Sequence, residues 1–147
     1  MIIFPQAGVE SGVWTPALQD VAFNDQGQTY LQQVGKYTRI GDRVLFDGRI
    51  DMSSLGTLNP GLAAFIGGLP YPVSTDAAAE GAVVIGETLN IGIAATDLLV
   101  VGVFHKGGSA FSLRNWESTR DKSVMVLSDV SANATIAFSG HYSTDAP

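Results

Sequence analysis

An all-β fold, an antiparallel β-sandwich of jelly-roll type with about eight to ten short strands, is predicted by three features of this sequence. Its 17 glycines lie between short β-branched and aromatic runs, where turns call for positive φ. Two-residue alternation dominates 28–53, and no stretch carries helical periodicity for more than about one turn. At 147 residues the chain fits one domain with one hydrophobic core.

Taken in order, residues 1–11 have no clear periodicity and include Pro5 and Gly8, so they read as an extended arm preceding a single domain over 12–147. Trp14, followed by Thr15 and Pro16, reads as a core anchor at the entrance to the first strand. Gly35 and the pair Gly41 and Asp42 divide the next region into strands near 29–34, 36–40 and 43–52. In the third, Val44, Phe46, Gly48, Ile50 and Met52 share one face while Asp47, Arg49, Asp51 and Ser53 share the other. A loop over 53–61 leads through Gly67 and Gly68 to Pro70 and Pro72, where only an edge or an exit is possible. A helical turn is expected at 76–80, then strands at 82–85, 89–94 and 98–105.

The strand at 98–105 is apolar on both faces, with Leu98, Val100 and Phe104 on one side and Leu99, Val101 and Val103 on the other. One face of an antiparallel sandwich normally meets water, so a subunit contact is expected to cover the second. The segment 106–122 is polar and glycine-rich at its start and reads as a long loop or loosely paired hairpin. A strand near 124–127, a turn at 129–133 and a final strand complete the chain, with Ala134, Ile136, Phe138, Gly140 and Tyr142 pointing inward.

Composition narrows the function. Hydrophobic residues make up 46% of the chain and charged residues 15%, with a mean hydropathy of +0.21, a balance that fits a surface partly covered by a partner. A net charge of −6 argues against nucleic acid and anionic lipid, which both need clustered Lys and Arg. The absence of cysteine removes disulfides, thiolate zinc sites and thiol nucleophiles. The opening residues lack the basic start and apolar stretch of a secretion signal, and the apolar run at 98–104 is far short of a bilayer span. Folding in a cytoplasm, without membrane insertion, is therefore expected.

No catalytic constellation emerges, and the sequence predicts a protein that is not an enzyme and needs no cofactor. His105 and His141 are the available bases, and neither lies in a catalytic or metal-binding motif. Asp47 and Asp51 share a strand face, but four residues at roughly 3.3 Å each place them about 13 Å apart. Paired glycosidase carboxylates need about 5 to 9.5 Å, so a surface ion-pair ladder through Arg49 is the expected arrangement. Carboxylates converging from different strands would leave a glycan-cleaving enzyme open. The Gly-Gly pairs at 67–68 and 107–108 join no strand to a helix and read as turns or bulges rather than phosphate cradles. Arg114, Asn115, Trp116 and Glu117 form the candidate ligand-binding cluster, because an indole face stacks on sugar rings while amide and charged groups bond hydroxyls. The alternative is that Trp116 packs beneath its own loop.

These landmarks together resemble a known family. Gly12-Val13-Trp14-Thr15-Pro16-Ala17-Leu18 looks like the Gly-x-Trp-Thr-Pro-x-Leu opening of C-terminal domains in bacteriophage tail fibres and tailspikes. Tyr30, Gln33, Gly35 and Tyr37, then Ile40-Gly41, then Val44, Phe46, Gly48 and Arg49 follow in the order seen there. Ile66-Gly67-Gly68-Leu69-Pro70-Tyr71 resembles the family's Ile-x-Gly-Leu-Pro-aromatic segment. Ser128-Asp129-Val130, Ile136, Ser139-Gly140 and Tyr142 resemble its closing strand.

The resemblance implies a trimeric β-sandwich knob that caps a fibre, keeps three chains in register and touches carbohydrate or protein on the host surface. It would bury Leu99, Val101 and Val103, or their opposites on the strand, against neighbouring copies and place the protein in the virion. Family members reach this domain after a long shaft, whereas 1–11 alone precede it here. Those residues are therefore expected to dock on other virion proteins, and a capsid decoration or head-fibre protein is the alternative reading.

Overall fold

The computed structural model describes residues 8–76, 81–92, 97–117 and 123–147. Ten antiparallel strands form one curled sheet: β1 (Val9–Trp14), β2 (Ala17–Gln19), β3 (Thr29–Ile40), β4 (Arg43–Ser54), β5 (Phe65–Gly67), β6 (Ala82–Ile91), β7 (Asp97–Phe104), β8 (Ala110–Glu117), β9 (Ser123–Val124) and β10 (Val130–Ser143). The spatial order is β1-β3-β4-β10-β6-β7-β8-β5-β2, with β9 added to β8. The expected all-β antiparallel fold is present, but its layers are linked along one hydrogen-bonded path instead of forming two separate sheets. The sheet bends at β6 and β7, where backbone pairing is limited to Val83↔Gly102 and Val84↔Val101.

Curling brings the two ends of the sheet together. Strands β1 and β2 lie at opposite ends of the order, yet Thr15 and Pro16 alone separate them in the chain. Side chains bridge the remaining gap. The Leu18 amide donates to the Tyr30 hydroxyl at 3.0 Å, Gln28 Nε2 donates to the Leu18 carbonyl at 3.0 Å, and Gln33 Nε2 donates to the Pro16 carbonyl at 2.8 Å. These bonds satisfy backbone groups that an open edge would leave to water or another chain.

Alternating inward residues of β4 and β10 meet those of β7 and β8 in an aromatic core. Trp14 lies 5.8 Å from Phe46 and 5.9 Å from Phe138 between ring centroids, and Phe111 lies 5.3 Å from Phe138. The indole Nε1–H is shared between the carbonyls of Lys36 at 3.2 Å and Asp47 at 3.1 Å. Gly35 and Gly48 make this approach possible, since a Cβ at Gly35 would stand 2.5 Å from the indole nitrogen and one at Gly48 2.6 Å from the Phe138 ring.

That packing corrects the reading of Gly35 as a break, because 29–40 is one strand running past the indole. Similarly, 82–91 is a single strand with a register shift opposite Ala137 and Phe138, and residue 94 lies outside the described set. The expected strand at 124–127 shortens to β9, followed by a 3-10 turn at Leu127–Asp129. The final strand keeps the expected inward set, with Ala134, Ile136, Phe138 and Tyr142 buried, but it begins at Val130. In place of the turn expected at 129–133 the chain has a 3-10 turn ending at Asp129 and a register shift between Val130 and Thr135 within β10.

Two larger corrections affect function. Residues 9–11 of the expected arm belong to β1 and pair with β3, while 1–7 lie outside the described residues. Glu10 accepts from the Tyr37 hydroxyl at 2.6 Å and the Tyr71 hydroxyl at 2.7 Å, and these two bonds hold its carboxyl below the usual range. The expected loop at 106–122 contains β8, paired on both sides with β7 and β5. Phe111 and Leu113 are fully buried there, so the alternation of 111–116 outweighs the loop-like start at 106–108. Residues 118–122 of that segment, and 77–80 of the expected helical turn, lie outside the described set.

Candidate interaction surface

Because β8 is a strand, its alternation divides the expected ligand cluster between two faces. Arg114 and Trp116 point outward. Asn115 points inward and is 7% exposed, with its Oδ1 lacking a hydrogen-bond partner, and Glu117 shares its parity. Of Arg114, Asn115, Trp116 and Glu117, the strand therefore turns Arg114 and Trp116 to one face and Asn115 and Glu117 to the other.

The outward pair instead joins residues expected at a subunit contact. In the register of β7 and β8, Leu99 stands opposite Trp116, Val101 opposite Arg114 and Val103 opposite Ser112. Val84 continues the row on β6 opposite Val101, and Val124 continues it on β9 opposite Arg114. Side chains directly opposite in an antiparallel pair lie about 4.5–5.5 Å apart at Cβ, so Val84, Val101, Leu99 and Trp116 form a contiguous apolar face, with Arg114 standing between it and Val124. Leu99 is 49% exposed, Trp116 47%, Val124 44% and Val84 62%. On the reverse side Val100 and Phe104 are buried, so β7 is apolar toward core and surface alike.

Near the hairpin end β6 and β7 separate, leaving a cleft of about 510 Å³ lined by Gly86, Glu87, Thr88 and Leu99 among others. Arg49 bonds Glu87 at 2.7 Å and Asp51 at 3.0 Å, so the expected ion-pair ladder exists with Glu87 in place of Asp47. The histidines are separate: Nδ1 of His141 lies 3.2 Å from the Arg43 guanidinium and Nε2 of His105 lies 3.1 Å from the Ser112 hydroxyl. Among the described residues no three His, Cys, Asp or Glu side chains gather as a metal site, and no helix is long and apolar enough to cross a membrane.

Val84 and Val124 were absent from the sequence-based set. The alternation through 82–85 does place Val84 opposite in parity to buried Val83, a signal overlooked because β6 reads as two fragments. A concavity beside Phe23 also went unseen, since it draws on three strands and a loop.

No family model matches the chain, and no curated protein matches it. Among solved structures, the chain is similar to the crystal structure of Dettilon tailspike protein (gp208), with a TM-score of 0.73 over 92% of this chain at 13% identity. The match covers 24% of that tailspike chain, so the present chain corresponds to about a quarter of its length. What the two share is the fold.

Proposed function

We propose that this chain is a structural domain of a bacteriophage tail fibre or spike, that three copies associate through the outer face of β7 and β8, and that the assembly contacts the host cell as a binding module rather than as a catalyst. The observation that carries this reading is the row of exposed Val84, Leu99 and Trp116 joined through half-buried Val101, with exposed Val124 beyond Arg114, on a fold shared with a tailspike. Continuous apolar patches on soluble proteins mark contact surfaces. A closed threefold ring would repeat one heterologous interface between every pair of copies, and several weak host contacts would combine through avidity.

Sedimentation equilibrium tests the association. The parent chain is expected at three times its 15.4 kDa mass, and Leu99→Asp with Val101→Asp at the monomer mass with an unchanged circular-dichroism spectrum. A monodisperse parent monomer at micromolar concentration would refute it. Gold labelling on intact particles then separates tail from head, with label at the tail tip expected.

A further inference from the structure

At the end of the molecule where β2, β5 and β8 meet, a pocket of about 460 Å³ opens to solvent. Phe23, Phe65, Gln19, His105 and Ser109 contribute to its wall. Its volume lies within the range of small-ligand sites, about 300–1,000 Å³. The pocket is separate from the Trp116 row, and neither composition nor motif pointed to it.

Phe23 is unusual on two counts. Its φ of 50° lies in the left-handed region, which bulky side chains rarely adopt, and its side chain is still 51% exposed. A buried carboxylate imposes the conformation. Asp20 is 2% exposed, and its Oδ1 accepts from the Ala22 amide at 2.8 Å. Its Oδ2 accepts from Gln26 Nε2 at 2.7 Å and the Asn59 amide at 3.3 Å, while its own carbonyl accepts from the Phe23 amide at 3.1 Å. The loop thus supports an aromatic ring at the pocket mouth, edge-on to Phe65 with centroids 4.9 Å apart, and Phe65 lies 5.6 Å from His105.

The wall also holds unspent polar groups. The Gln19 amide and the Ser109 hydroxyl make no hydrogen bond to any described residue, so both are available to a ligand. The described lining contains no Asp, Glu, Lys or Arg, and its one titratable side chain is His105, so most of its polar capacity is uncharged. Aromatic faces suit the C–H surface of a sugar ring, and an amide with a hydroxyl suits its hydroxyl groups. A purely apolar ligand would use the rings and waste the amide.

We infer that this pocket binds a neutral pyranose unit of a glycan, stacked against exposed Phe23 with buried Phe65 behind it and hydrogen-bonded by Gln19 and Ser109. This deepens the host-contact part of the proposed function and rests on it for biological meaning, but not on the trimer.

Saturation-transfer NMR tests the inference with the methyl α-pyranosides of glucose, galactose and mannose, alongside N-acetylneuraminic acid and phenol. Transfer to the ring protons of at least one neutral pyranoside is expected. In Phe23→Gly, which removes the ring and suits the backbone angle, affinity should fall by about tenfold or more while the melting temperature holds. Gln19→Ala should weaken binding without altering the fold and serves as the second arm. Transfer that survives both substitutions, transfer to phenol or N-acetylneuraminic acid alone, or none to the three pyranosides would overturn the assignment. The sedimentation mass reports separately on the trimer, so either idea can fail without the other.

Discussion

Trp14 and Trp116 are the chain's two tryptophans, and the same sheet treats them in opposite ways. Trp14 is 6% exposed, its indole nitrogen is hydrogen-bonded to two carbonyls, and glycines on β3 and β4 clear the space it fills. Trp116 is 47% exposed, its indole nitrogen has no hydrogen bond within the described residues, and it faces Leu99 across an uncovered surface. Every atom around the first is accounted for by its own chain. The second is placed with equal regularity but is left half-exposed on the outer face of the sheet.

The sharpest way to break this contrast is Trp14→Ala, which is expected to cost about 3–5 kcal/mol of unfolding free energy in urea melts. A loss below about 1 kcal/mol would show that the Phe46 and Phe138 contacts do not organise the core.

Asp20 lies between the extremes, buried yet serving a surface loop. Asp20→Asn keeps one acceptor but turns a donor toward Gln26 or Asn59, for an expected loss of about 1–3 kcal/mol. The bond from Ala22 holds the Asp20 carboxyl below its ordinary value, with Gln26 and Asn59 helping and burial opposing. Its folded pKa being depressed, the stabilisation is full above the unfolded value of about 3.9 and fades as pH falls through the folded value. The gap between parent and variant should therefore be constant at neutral pH and close below about pH 4 in pH-resolved melts. A gap independent of pH would mean the charge contributes nothing.

Leu99→Ser marks the small end, at less than about 0.5 kcal/mol in dilute monomer, because the side chain leaves one half-solvated site for another. A larger loss in the monomer would show that β7 depends on its outer residues for folding.

What could be read from residues alone follows the same division. Alternation in 43–52 and 134–142 was legible because each strand buries one face, so polarity changes at every step. The Trp14, Gly35 and Gly48 landmarks were visible in order, but the close approach that explains them needs two strands placed beside a third. Strand β8 was missed because Ser112 and Asn115 are buried polar residues, which composition assigns to loops. The four-residue cluster at 114–117 divides for that reason, since a loop can gather neighbours that a strand sends to opposite faces. The Phe23 pocket offered no local signal: its wall is drawn from 19–23, 65–68 and 105–110, and distant contributions meet only after the sheet curls.

Strand β10 sits between β4 and β6 although it is the last of the domain to leave the ribosome. Until Val130–Ser143 has been synthesised, those two neighbours have no common partner, and each presents an unsatisfied edge. At translation rates of about 5–20 residues per second that exposure lasts roughly 3 to 18 seconds on every nascent chain. Crowded polysomes carrying this message thus hold many half-built sheets side by side, and a premature stop before residue 130 would release an edge-exposed, aggregation-prone fragment instead of a shorter version of the fold.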